Sequence, residues 1–107
     1  MAFNTSVTSA ANASAVVTLT GVSGLTVKIY SVDAFTSAGT SQLTIAEGAT
    51  TRWLSPATWI ATTLTTRSWT PVPFTANTPG DTVTVTAGTA GMGNTVTLNV
   101  QADIVAP

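Results

Sequence analysis

The 107-residue chain contains no cysteine and no histidine, and only three basic and four acidic residues. Without cysteine, no disulfide can staple the fold. Without either residue, the usual ligands of zinc and haem are missing. The basic residues, Lys28, Arg52 and Arg67, are scattered, whereas neutralising a phosphate backbone takes several on one face. Nucleic acid is therefore excluded as a partner. No apolar run approaches the roughly 18 residues of a membrane helix, so no membrane association is expected. No basic residue precedes Lys28 and no apolar stretch opens the chain, so no secretory signal is expected. Synthesis and folding in a cytoplasm follow, and the glycosylation patterns at Asn4-Thr5-Ser6 and Asn12-Ala13-Ser14 are read as chance.

The shortage of charge bears on partners. Charged residues make up 7% of the chain, against about 25% in ordinary soluble domains. One domain of this mass exposes about 5,500 Å², which leaves about one charge per 800 Å². That area is about one partner's share of a standard protein interface. Almost any patch can thus be covered while desolvating a single charge, which suits a subunit of an assembly better than a free monomer.

What the sequence has in abundance is threonine, 24 residues, and Thr with Val favours a pleated, half-buried surface. Over residues 95–104, Val96, Leu98, Val100, Ala102 and Ile104 alternate with Thr97, Asn99, Gln101 and Asp103, the pattern of a half-buried strand. Val83, Val85 and Ala87 alternate with threonines over 82–87. The glycine-rich link 88–94 predicts that these two strands form an antiparallel hairpin. Further strands are expected over 15–20, 25–35 and 42–46, and two more within 58–64 and 67–72. Leu25, Val27 and Ile29 are out of phase with Val32 and Ala34, which predicts a β-bulge near Tyr30-Ser31. Seven or eight short strands with no helical period predict an all-β fold, a single antiparallel β-sandwich or jelly roll. Residues 1–14 are small and polar apart from Phe3 and are expected to form an extended N-terminal arm, with the sandwich over 15–107. An arm of this kind is ordered only where a neighbour holds it, so its removal should leave the sandwich folded.

Little in the chain points to catalysis, and no enzyme is expected. Asp33, Glu47, Asp81 and Asp103 are the only carboxylates and read as solvated turn and rim residues. Gly91-Met92-Gly93-Asn94 is followed by a strand, not the helix a phosphate cradle needs, and reads as a loop. No two acidic residues fall close enough for a calcium loop, and no cofactor or metal is expected. The aromatics stand out. Trp53, Trp59, Trp69 and Phe74 lie within 22 residues. Three readings remain open for them: core packing, anchors at a subunit interface, or an exposed coplanar platform for sugar rings in a carbohydrate- or receptor-binding module. Arg52 and Arg67 can stack or snorkel beside them, and Phe3 can plug a neighbour's pocket. These seven residues are the candidate partner interface.

The stretch Ala15-Val16-Val17-Thr18-Leu19-Thr20, the strand Val27-Lys28-Ile29-Tyr30-Ser31-Val32 and the closing Gly93-Asn94-Thr95-Val96-Thr97-Leu98-Asn99-Val100 resemble small β-sandwich virion proteins of tailed bacteriophages, the capsid decoration or cement type. The likeness is one of composition and rhythm and spans most of residues 15–105, while the tryptophan-rich middle departs from it. The resemblance implies a homotrimer on the outside of an icosahedral head, bound to the major capsid protein or another virion protein, with the N-terminal arm reaching a neighbour. It implies no catalytic residue.

Overall fold

Each long strand buries one face, which is why alternation in the sequence becomes strand in the structure. The computed structural model describes residues 2–69, 72–91 and 93–107, and among these it is all β, with nine strands. They are β1 (Ala2–Thr8), β2 (Ala15–Leu19), β3 (Thr26–Thr36), β4 (Leu43–Glu47), β5 (Thr50–Leu54), β6 (Thr65–Ser68), β7 (Phe74–Thr75), β8 (Val83–Ala87) and β9 (Val96–Val105). One antiparallel sheet has the order β1-β9-β3-β6, with the two-residue β7 also on β3, and the other has the order β2-β8-β4-β5. The pairs β1·β9, β2·β8, β3·β6 and β4·β5 are nested, so the chain is a long folded hairpin rolled into two layers. That is the jelly-roll form of the β-sandwich.

The two layers meet through residues in phase on facing strands. Val17, Leu19, Leu43, Ile45, Val83, Val85 and Ala87 from one sheet, and Val27, Ile29, Val32, Ala34, Val96, Leu98 and Val100 from the other, are all at most 3% exposed. Burying each large aliphatic side chain contributes about 1.5–3 kcal/mol, so this layer is the main source of stability. Ile29 faces Ala102 on β9 while Ser31 faces Gln101, which leaves Tyr30 bulged as expected. The bulge keeps Val32 and Ala34 inside after Val27 and Ile29, with Tyr30 40% exposed on the outer surface.

Three expectations are corrected. The hairpin of 82–87 with 95–104 does not form: β8 and β9 lie in different sheets. Alternation fixes which face of a strand is buried but not which layer it joins. Packing is tight at Gly39, where a Cβ would stand 2.5 Å from the Ala90 carbonyl oxygen and φ is +73°.

The segment expected as an arm outside the core is, over 2–8, the edge strand of the first sheet, in register with β9 from Ala2↔Asp103 to Thr8↔Thr97. Phe3, Thr5 and Val7 alternate inward and are half-buried, a period-two signal hidden by the small residues around it. The strand expected within 58–64 is a loop fixed by one bridge, Ser41↔Ile60. Ile60 is buried there while Leu64 is exposed, so the two do not share a face. The strand expected over 67–72 starts earlier, as β6, and residues 70 and 71 lie outside those described, as does Met92 of the 88–94 loop.

Candidate functional site

Six of the seven candidate interface residues come together at one open side of the sandwich. There β5, the edge of the second sheet, stands across from β6 and β7 of the first. On β5 the register with β4 shifts between Ile45↔Trp53 and Ala46↔Thr51, leaving Arg52 as a bulged residue. Such a bulge re-aims side chains, and here both Arg52 and Trp53 reach the aromatic cluster. Trp53 lies opposite inward-facing Ile45 and meets Trp59 and Trp69 edge to face. Both centroid distances are 5.7 Å, with interplanar angles of 77° and 78°. Trp69 meets Phe74 in the same manner at 6.0 Å.

The arginines finish the cluster. The Arg52 guanidinium lies 5.1 Å from the Phe74 ring centroid, and that of Arg67 lies 5.9 Å from Trp53 and 5.3 Å from Trp69. The four rings are half-buried and packed against the core, so the structure favours the core-packing reading. The contacting ring pairs Trp53–Trp59, Trp53–Trp69 and Trp69–Phe74 meet at 77°, 78° and 67°, so none of these pairs is coplanar. Phe3 is apart from this group. It lies on β1, at the opposite edge of the first sheet, facing Ala102 and packed against the core.

Glu47 was expected at a solvated turn, but it is only 7% exposed. The phase Leu43, Ile45, Glu47 carries it inward, a signal that the sequence contains. Its carboxylate pairs with the Arg52 guanidinium, and it accepts the N–H of Asn77 at 2.8 Å and of Thr78 at 3.0 Å. Arg52 also donates to the Thr75 carbonyl at 3.4 Å. Burial alone would raise the pKa of Glu47. The Asn77 N–H, the Asp81 carboxyl, the Thr78 N–H and Arg52 outweigh burial and hold it at about 2. Asp81 is pushed up, first by its hydrogen bond to Glu47, then by burial and by the Glu47 charge.

Glu47, Thr50, Arg52, Asn77, Thr78 and Asp81 line an open polar pocket of about 190 Å³. With its oxygens taken by two backbone donors and a guanidinium, Glu47 is a fastener of the β7–β8 connection and not a free base. No group of three or more metal-ligating side chains occurs among the described residues.

Sequence reasoning missed a second feature, the outer face of the second sheet. The cross-strand register runs Val16–Thr86–Thr44–Leu54 in one row and Thr18–Thr84–Ala46–Thr51 in the next. Neither row contains a charge. Four strands at about 4.8 Å and five residues at about 3.4 Å make this face roughly 19 Å by 17 Å. Its corners include Leu54, 56% exposed, and Val16, 43% exposed. The outer face of the first sheet differs, since Lys28 and Asp103 are opposite each other there and Asp33 lies opposite Asn99. The run Thr82-Val83-Thr84-Val85-Thr86 shows the alternation in the sequence, but only the sheet order shows that the outward residues of four strands form one neutral plane. Comparison with known proteins found no matching family, no similar curated protein and no similar solved structure.

Proposed function

We propose that this chain is a non-enzymatic structural subunit of a tailed-phage virion, a decoration or cement protein that docks on the assembled head and stabilises it. The observation that carries the reading is the uncharged outer face of the second sheet. Threonine hydroxyls keep such a face wet while it is free and are cheap to cover when hydrogen-bonded. Desolvating it takes no ion out of water, whereas a buried charge costs several kcal/mol. The jelly roll is a fold of viral capsid proteins and lectins alike, so it supports the reading only by analogy.

The mechanism is mass action. A ligand that binds only the assembled shell stabilises it by about 2.7 kcal/mol per site at a hundredfold excess over Kd, repeated over every site of the shell. The partner is the major capsid protein or another protein of the head exterior. Sedimentation of the purified chain with assembled heads of the virus that encodes it, beside unassembled capsid protein, tests the proposal. Binding to heads alone is expected, and absence of binding to heads contradicts it.

A further inference from the structure

The side of the sandwich formed by β1 and β2 is built from residues 2–19, which carry no charge. Open strand edges are normally guarded by charge, proline, a bulge or shortness. The opposite side follows that rule: β5 is bulged at Arg52, and β6 has four residues and carries Arg67. β1 has seven residues, Ala-Phe-Asn-Thr-Ser-Val-Thr, paired with β9 in unbroken register and with none of these guards.

The phase of its free backbone groups is set by the structure. Ser9 N–H donates to the Val96 carbonyl at 2.9 Å, one step beyond Thr8↔Thr97. In an antiparallel ladder, bonded and non-bonded pairs alternate. The odd-numbered residues of β1 therefore bond β9, and Ala2, Asn4, Ser6 and Thr8 turn their N–H and C=O groups to the open edge.

We infer that this edge is a self-association site, at which β1 pairs antiparallel with β1 of a second copy about a two-fold axis at Thr5. In that register Ala2 faces the copy's Thr8 and Asn4 faces its Ser6. These are the residues with free backbone groups, so about eight hydrogen bonds form. On the core side Phe3 faces the copy's Val7 and Thr5 faces Thr5, an aromatic–β-branched pair and a Thr–Thr pair of the kinds that stabilise sheets. The strand is thus complementary to itself in both its backbone and its side chains, which is why the partner is a second copy. The contact is isologous and closed, so it uses the edge without leading to open-ended aggregation. One strand edge buries less than a standard interface, which places the affinity in the weak class. The inference is independent of what the second sheet binds.

The test is light-scattering mass over a series from micromolar to millimolar chain, with three variants. Wild type is expected to approach twice 10.8 kDa as concentration rises. Ser6→Pro removes a donor from the open edge and none from the β9 ladder, so it should remain a monomer with an unchanged far-ultraviolet spectrum. Thr5→Cys, the only thiol in the chain, should oxidise to a covalent dimer. Thr8→Cys should not, because the two copies of position 8 stand about 20 Å apart in this register. A monomer at all concentrations, a trimer, a Ser6→Pro variant that still dimerises, or equal crosslinking at 5 and 8 overturns the inference. If Ser6→Pro fails to fold, the contrast between the two cysteine variants decides.

Discussion

The Arg52 guanidinium lies 5.1 Å from the ring centroid of Phe74, and this contact joins the edge of one sheet to the other. Arg52 belongs to β5 and Phe74 to β7, and the same guanidinium is held by Glu47. Removing either member of the ion pair strands the other. Glu47→Gln is expected to cost about 2–3 kcal/mol, the scale of a buried hydrogen bond to a charged group. Arg52→Lys should recover little, since an ammonium cannot both pair with Glu47 and lie flat over the ring. Urea unfolding of the variants measures both effects.

The Glu47–Asp81 pair predicts a two-part pH profile. The Glu47 pKa is depressed, so its stabilisation is present above its ordinary value of 4.5 and is lost as pH falls towards about 2. The Asp81 pKa is raised, so the folded state holds that proton more tightly than the unfolded chain. Stability should therefore gain from Asp81 as pH falls from the raised value towards its ordinary 3.8, working against the Glu47 loss that sets in below 4.5. Asp81→Asn should abolish the gain and keep the acid-side loss. Thermal midpoints from pH 2 to 7 provide the check, and identical profiles for wild type and variant would contradict the assignment.

Deleting residues 1–14 tests the correction to the N-terminal segment. With β1 gone, the edge of β9 and the inward residues Val100 and Ala102 lose their cover. The truncated chain is expected to melt far below wild type or fail to fold. An unchanged melting temperature would restore the arm.

Gly21 makes a further prediction. A Cβ there would stand 1.9 Å from the Gly80 carbonyl oxygen, well inside contact. The obstacle is backbone, so Gly21→Ala must move the 80–82 connection, which Gly21 also holds through its N–H to Thr82 Oγ1 at 2.9 Å. A loss of about 1–3 kcal/mol is expected, typical of overpacking. Gly24→Ala meets no atom within 4 Å but has φ +80°, so its cost of about 1 kcal/mol is backbone strain alone.

The fold class, the bulge at Tyr30 and the inward faces of β3, β4, β8 and β9 were legible in the alternation, because burial of one face is a local constraint. The sheet assignment was not. The inward pattern of Val83, Val85 and Ala87 is the same whether β8 pairs with β9 or crosses from it, and only the long-range register decides. The clustering of Trp53, Trp59, Trp69 and Phe74 was legible from their spacing, but their perpendicular packing depends on the bulge at Arg52. Glu47 was misplaced because its charge outweighed its phase. The neutral plane of the second sheet was invisible because it joins residues from four strands, none unusual alone.

The central claim, docking through the second sheet, is tested most directly by a matched pair of charge insertions. Thr84→Lys places a charge in the middle of the neutral face, and Asn99→Lys places the same charge in the middle of the opposite, already charged face. With both variants folded, the affinity for assembled heads, measured by co-sedimentation, should fall at least tenfold for Thr84→Lys and stay within about twofold of wild type for Asn99→Lys. Equal losses, or a loss confined to Asn99→Lys, would contradict the account.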